Sequence, residues 1–222
     1  MKKFVIVAGN IGVGKSSLVE RLCQALDWQP FYEAVTENPY LADFYQDMHH
    51  WGFHSQVFFL ANRLHIHCQI ASHPASVIQD RSIYEDAEIF AQNLFEQGYL
   101  SERDYTTYRH LYTSALEFLP PPDLVLYLRA SVETLRQRIA LRGREYEARI
   151  APAYLAQLNG LYERWIENLR LCPVLTIPAD DLDFVAHRAH LDLIVQKMRE
   201  KLEGREEVVF SAAEVGRAPA SN

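Results

Sequence analysis

The sequence predicts an α/β fold, a five-stranded parallel sheet flanked by helices, and three observations carry that expectation. Short apolar, β-branched runs recur along the chain, several of them closed by Gly, Asp or Pro. Segments with helical spacing separate them. The residues with evident chemistry stand just after the runs, which is where ligands bind in open parallel sheets.

The first run, Phe4-Val5-Ile6-Val7-Ala8, is closed by Gly9 and reads as a fully buried strand. A helix is expected over 15–27, with Leu18, Leu22 and Leu26 four apart as its core stripe. Residues 31–35 read as the second strand, and Asn38-Pro39 opens a helix with proline near its first turn. A long helix over 55–72 carries Phe59, Leu60 and Ile66. Ser76-Val77-Ile78-Gln79 is the third strand and ends at Asp80-Arg81-Ser82. Helices follow over 83–95 and 101–116, the second with Ser101 and Asp104 at capping-box spacing. Prolines 120–122 stop that region, and Leu124-Val125-Leu126-Tyr127-Leu128 is the fourth strand. A helix over 132–142 stops at Gly143. Helices over 153–171 and 183–202 enclose the fifth strand, Val174-Leu175-Thr176-Ile177. Residues 211–222 are rich in Ala, Ser, Pro and Gly and are expected to be disordered. The chain thus divides into one domain over 1–204, with a lid at about 138–150, and a tail over 205–222.

A length of 222 residues suits one domain with a sizeable core. A formal net charge of −7 argues against a general binder of nucleic acid or anionic membranes. Cys23, Cys68 and Cys172 are widely spaced and odd in number, which suits neither a metal site nor a disulfide framework. The apolar run at Phe4 is too short for a signal core or a membrane span. A cytoplasmic protein is expected, with no nucleic-acid partner and no membrane.

Gly9-Asn10-Ile11-Gly12-Val13-Gly14-Lys15-Ser16 matches G-x-x-x-x-G-K-[ST], and Ser17 continues it into the helix. Glycines let the loop fold tightly so that backbone N–H groups face phosphate oxygens, and the helix that follows adds its positive end. Lys15 is expected on the β- and γ-phosphates and Ser16 on Mg²⁺, so the loop calls for ATP and Mg²⁺. A buried strand before it and an amphipathic helix after it are the context the motif requires.

The acceptor is narrowed by three further places. Glu33 stands at the end of the second strand, where a carboxylate could take the proton of a neutral hydroxyl; it also suits a solvated loop carboxylate, as does Glu37. Gln56 and Arg63, seven apart, share a helix face with Phe59 and Leu60; they either satisfy buried partners or read a base edge. Asp80 could hold Mg²⁺ through water or accept a proton, and Arg81 could brace the acceptor oxygen or the transferred phosphoryl group. Asp86 and Phe90, four apart, form a carboxylate beside an aromatic plate, although Phe90 also suits a plain core position. Arg138, Arg142 and Arg144 surround the helix end at Gly143 and fit a lid over the transferring phosphoryl group, or a solvated basic helix end. Pro178-Ala179-Asp180-Asp181 could cup adenine or form a simple turn.

Taken in order, GNIGVGKSS at Gly9, YEAVTENPYLADFY at Tyr32, the Gln56/Arg63 helix, DRSIYEDAEIFA at Asp80 and RIALRGREYE at Arg138 resemble the deoxyribonucleoside kinase family, which includes the bacterial deoxyadenosine/deoxyguanosine kinases. The resemblance runs from about Lys3 to Leu202. It implies a P-loop kinase fold with a small arginine-rich lid, transfer of the ATP γ-phosphate to a deoxynucleoside 5′-hydroxyl, and a homodimer. By resemblance, Glu33 is the base, with Asp80 as its rival, and Arg81 steadies the hydroxyl. Tyr45 and Glu147 resemble the pair that holds the sugar 3′-hydroxyl. Gln56, Asp86 and Arg63 resemble the base-reading set, with Phe90 stacking on the base. Arg138, Arg142 and Arg144 match the family lid. Ala34 replaces the proline common after the catalytic glutamate, and Ala87 stands where several animal members carry arginine, which leans toward purine deoxynucleosides. Two other readings are open to a P-loop chain of this kind. A nucleoside monophosphate kinase of thymidylate type is opposed by Glu33 and by the Tyr45/Glu147 pair. A non-catalytic nucleotide-binding subunit is opposed by the presence of the lysine, the base and the lid arginines.

Overall fold

The computed structural model describes residues 2–32, 38–144 and 150–216. Five strands form one all-parallel sheet in the order β2-β3-β1-β4-β5. They are β1 (Phe4–Gly9), β2 (Gln29–Phe31), β3 (Val77–Asp80), β4 (Leu124–Arg129) and β5 (Val174–Pro178). β1 is buried along its whole length because helices cover both faces. Its side chains alternate between two cores. Val5 and Val7 pack with Leu18, Leu22, Leu126 and Ile194 on one face. Phe4, Ile6 and Ala8 pack with Leu60, Ile89, Tyr108 and Tyr162 on the other.

The first helices are α1 (Lys15–Leu26), α2 (Leu41–Gln46) and α3 (Met48–Ser72). Leu18 and Leu22 of the expected α1 stripe are fully buried, and Leu26 packs at its margin. α3 begins earlier than its apolar pattern suggested. Asp47 caps it by accepting from the His50 N–H, and Gly52 lies close to Leu100. The buried face of α3 mixes Gly52, Ser55, Gln56, Leu60, Arg63, His67 and Ile70, a four–four–three–four–three spacing once Ser55 is grouped with Gln56.

The segment expected as one helix over 83–95 is three pieces: α4 (Ile83–Glu85), a π-helical stretch (Asp86–Ala91) and α5 (Gln92–Glu96). Then come α6 (Glu102–Leu116), α7 (Val132–Arg142), α8 (Pro152–Asn168), α9 (Arg188–Leu202) and α10 (Ala212–Val215). α7 has the expected bounds, with Gly143 closing it at φ +67°.

Three expectations are corrected. The second strand begins earlier than expected, at Gln29–Phe31, with Tyr32 outside it, and pairs Gln29 with Val77 and Phe31 with Gln79; residues 33–35 of the expected strand lie outside the described residues. It can contain Pro30 because β2 is a sheet edge, where a missing N–H is tolerated. α9 starts at Arg188 rather than 183, because Asp183 instead accepts from the Val185 and Ala186 N–H groups in a turn. The described part of the tail, residues 205–216, includes a helix at Ala212–Val215 where disorder was expected from 211; residues 217–222 lie outside the described residues. Ser211 and Glu214 form a capping box, Lys197 donates to Glu214 at 2.7 Å, and Val208 is buried. Among the described residues, no helix is long and apolar enough to cross a membrane.

Candidate active site

The site forms where the loops after β1 and β3 leave neighbouring strands. Val7 of β1 is paired with Asp80 of β3, so the phosphate loop rises directly beside the Asp80-Arg81-Ser82 turn. Two glycines make the loop possible. A Cβ at Gly9, which has φ +144°, would stand 2.7 Å from the Leu128 carbonyl oxygen. At Gly12, φ +80°, it would stand 2.6 Å from the Ile139 side chain. Lys15 is buried and donates to the carbonyls of Gly9 (2.8 Å) and Asn10 (3.0 Å), so the ammonium is held inside the loop. The Asn10 side chain ties the loop to α8 by donating to the Leu155 carbonyl and to Asn159. Arg138 closes the outer side, donating at 2.7 Å to the Val13 carbonyl and at 2.7 Å to the Ala179 carbonyl.

On the acceptor side, Ser16 Oγ donates to Asp80 Oδ2 at 2.5 Å. Asp80 Oδ1 is buried with no hydrogen-bond partner among the described residues. Arg81 sits at φ +62°, an uncommon backbone conformation for a side-chain-bearing residue and one often found at functional sites. Its guanidinium lies 4.4 Å above the Phe90 ring. From Ser16 and Lys15 a single cavity runs toward α3. Gly12, Ile11, Asp80 and Arg81 line its phosphate end, and Arg142 and Arg144 approach from the end of α7. Gln56, Asp86, Phe90 and Phe59 line its far end, with Tyr45 from α2 at the side. Asp86 and Phe90 reach it from the π-helical stretch, a distortion often found at functional sites.

Arg63 stands behind this wall. It donates to Asp86 Oδ2 at 3.1 Å, with both side chains almost fully buried. Gln56 is also buried, and its Oε1 has no hydrogen-bond partner among the described residues. A buried amide oxygen left this way, beside a fixed carboxylate, offers hydrogen bonds to a planar polar ligand.

Of the residues singled out in the sequence, Lys15, Ser16, Tyr45, Gln56, Asp80, Arg81, Asp86, Phe90, Arg142 and Arg144 therefore share one cavity. Arg138 lies elsewhere, between the phosphate loop and the turn after β5. Gly9 donates its N–H to Glu85 at 3.2 Å, so it shapes the loop through its close packing. Glu33 and Glu147 lie outside the described residues.

Sequence reasoning missed Tyr32, Leu41, Phe44 and Tyr154, which also line the cavity. Tyr32, Leu41 and Phe44 lie within the motif that starts at Tyr32, but as apolar or aromatic residues they, like Tyr154, carry no evident chemistry of their own. It also missed Glu85, which is fully buried and accepts from Ser82, Gly9 and Tyr162. Burial pushes the pKa of Glu85 up, against the opposing pull of Arg81, Lys15 and the hydrogen bonds from Tyr162 and Gly9. The S-x-x-E spacing of Ser82 and Glu85 was a readable signal for it.

A phosphate loop facing a polar-and-aromatic pocket on a parallel sheet defines a P-loop phosphotransferase with a small-molecule acceptor. The chain matches the family described as "Deoxynucleoside kinase" over residues 5–203. It is 37% identical over 196 residues to the deoxyadenosine/deoxycytidine kinase of Bacillus subtilis (strain 168), covering 87% of this chain and 90% of that one. It is 31% identical over 201 residues to the deoxyguanosine kinase of the same organism, covering 89% and 96%. The deoxyadenosine kinase of M. mycoides, solved with bound dATP, superposes with a TM-score of 0.79 at 31% identity, covering 88% of this chain and 99% of that one. The chain belongs to the deoxynucleoside kinase family, ATP-dependent phosphotransferases that act on deoxynucleosides.

Proposed function

We propose that this enzyme moves the γ-phosphoryl group of ATP to the 5′-hydroxyl of a purine deoxynucleoside, deoxyadenosine or deoxyguanosine, to give the 5′-monophosphate. The observation that carries the reading is the single cavity whose one end holds Lys15, Ser16 and Asp80 and whose other end holds Gln56 and Asp86. Arg63 fixes Asp86 as an ionised acceptor. An acceptor carboxylate suits the exocyclic amino groups of adenine, guanine and cytosine and repels the thymine carbonyls. Ala87 is buried beside it and adds no cation to the base pocket. The deoxyadenosine/deoxycytidine kinase among the relatives makes deoxycytidine the second candidate.

In this reading Lys15 and the backbone of residues 10–14 bind the β- and γ-phosphates. Arg142 and Arg144, which line the cavity, neutralise the transferring group, while Arg138 braces the phosphate loop through the Val13 and Ala179 carbonyls. Tyr45 and Glu147 hold the 3′-hydroxyl, and Phe90 stacks on the base. Glu33 takes the 5′-hydroxyl proton, with Asp80 as its rival, and Arg81 steadies the oxygen. Asp80 and Ser16 fit Mg²⁺: they are paired hard oxygen ligands, one carboxylate oxygen lacks a partner, and such ions complete their shell with phosphates and water. Among the described residues no larger acidic or histidine cluster could hold a metal, in keeping with an ion shared with the nucleotide. When bound, Mg²⁺ would neutralise charge on the β- and γ-oxygens. The enzyme is further proposed to be a cytoplasmic homodimer packed through α2 and α3.

The test is an assay panel of purified protein and Mg-ATP with each of the four deoxynucleosides, adenosine and dTMP. The highest kcat/KM is expected for a purine deoxynucleoside and the lowest among the four for thymidine. Phosphorylation of dTMP with none of the deoxynucleosides would sink the proposal.

A further inference from the structure

Glu85 touches both halves of the site without lining the cavity. One carboxylate oxygen accepts from the Gly9 N–H at 3.2 Å and the Tyr162 hydroxyl at 2.8 Å. The other accepts from the Ser82 N–H at 2.9 Å and the Ser82 hydroxyl at 3.3 Å. Gly9 opens the phosphate loop, Ser82 directly follows Arg81, and Tyr162 belongs to α8. A helix cap explains the Ser82 bonds. It does not explain the second oxygen, nor full burial, since a cap works as well at the surface. Burying a carboxylate is costly unless its partners are fixed, and here they are.

Two of the four donors are backbone N–H groups, one on each carboxylate oxygen, and these can only donate. A carboxylate serves both. The isosteric amide cannot in either orientation, because its NH₂ group then faces one of the N–H groups.

We propose that Glu85 is a positioning residue for the transfer, tying the first residue of the phosphate loop to the turn that carries Arg81, so that the donor and acceptor halves keep one register. The inference rests on the phosphotransfer reading above. The tie acts just after Arg81, whose φ of +62° is costly for a residue with a side chain and needs surrounding structure to hold it. Without Glu85, each half keeps its own contacts with its own substrate. What changes is the spacing between the halves, and a misplacement of about 1 Å can cost on the order of 100-fold in rate. The loss therefore falls on kcat and spares both KM values.

The experiment compares Glu85→Gln and Tyr162→Phe with the wild type. It measures kcat and both KM values per active site counted by ADP titration, with thermal unfolding alongside. Glu85→Gln is expected to lose about 10- to 100-fold in kcat, with both KM values within about threefold of wild type. Tyr162→Phe removes a single donor and leaves both N–H bonds, so a loss of about threefold in kcat is expected. A Glu85→Gln enzyme with wild-type kcat per site, or one whose loss lies in KM, overturns the proposal, because a purely structural role lowers only the melting temperature and the number of active sites. If Glu85→Gln does not fold, Glu85→Asp decides, because it keeps the carboxylate but is too short to reach both the Gly9 and the Ser82 N–H: a lowered kcat at constant KM supports the tie and an unchanged kcat refutes it. Wild-type protein that phosphorylates no deoxynucleoside sinks the functional reading together with this one. Wild-type turnover with unaffected variants sinks this one alone.

Discussion

Ser16 Oγ and Asp80 Oδ2 are joined by a 2.5 Å hydrogen bond that links the phosphate loop to the end of β3. Strand pairing makes it possible, because Val7 and Asp80 are register partners and both loops leave the sheet at the same level. The proposed Mg²⁺ site rests on this pair and on the other carboxylate oxygen, which has no hydrogen-bond partner among the described residues. Asp80→Asn is expected to raise the Mg²⁺ concentration for half-maximal turnover by about 10- to 100-fold. Metal titration of steady-state turnover checks this, and an unshifted midpoint would remove Asp80 from the Mg²⁺ site.

The pairing of Arg63 with Asp86 is a buried ion pair at 3.1 Å. Removing one partner leaves an uncompensated charge in the interior. Asp86→Ala is therefore expected to cost about 3–5 kcal/mol in urea unfolding, and Arg63→Met added to it should recover part of that loss. Recovery of stability without recovery of turnover is the expected pattern, since Asp86 also faces the cavity. Additive losses in the double variant would contradict the pairing.

For Glu33, the expectation concerns chemistry and leaves binding alone. Glu33→Gln should lower kcat by about 10²- to 10⁴-fold, while ADP affinity measured by calorimetry stays within about twofold. Full turnover in that variant would pass the role of base to Asp80.

The motifs at Gly9 and Asp80 were legible because their chemistry depends on short spacings, which the sequence displays directly. So were β1, β3, β4 and α7, whose apolar runs end at residues that stop a strand or helix. What escaped depended on neighbours in space. The start of β2 was not legible because it contains Pro30, which a strand tolerates only where, as here, it lies at a sheet edge. Three arginines within seven residues read as one lid, yet Arg138 precedes Arg142 by about one helical turn, roughly 5.4 Å, and there it meets Val13 and Ala179 instead of the cavity. Glu85 drew no role from the sequence, because its second set of partners comes from Gly9, 76 residues earlier, and Tyr162, 77 residues later. The ordered tail carried a local signal, Ser211 with Glu214, within a composition that reads as disorder.

The central claim is that the cavity takes a neutral deoxynucleoside with its 5′-hydroxyl toward the phosphate loop. Phosphorus-31 NMR of the reaction of Mg-ATP with deoxyadenosine tests it most directly. The expected result is loss of the ATP γ-resonance with growth of ADP and of a monoester signal coupled to the two 5′ protons. A monoester on the 3′ position, or no monoester from any deoxynucleoside while dTMP becomes a diphosphate, would contradict the account.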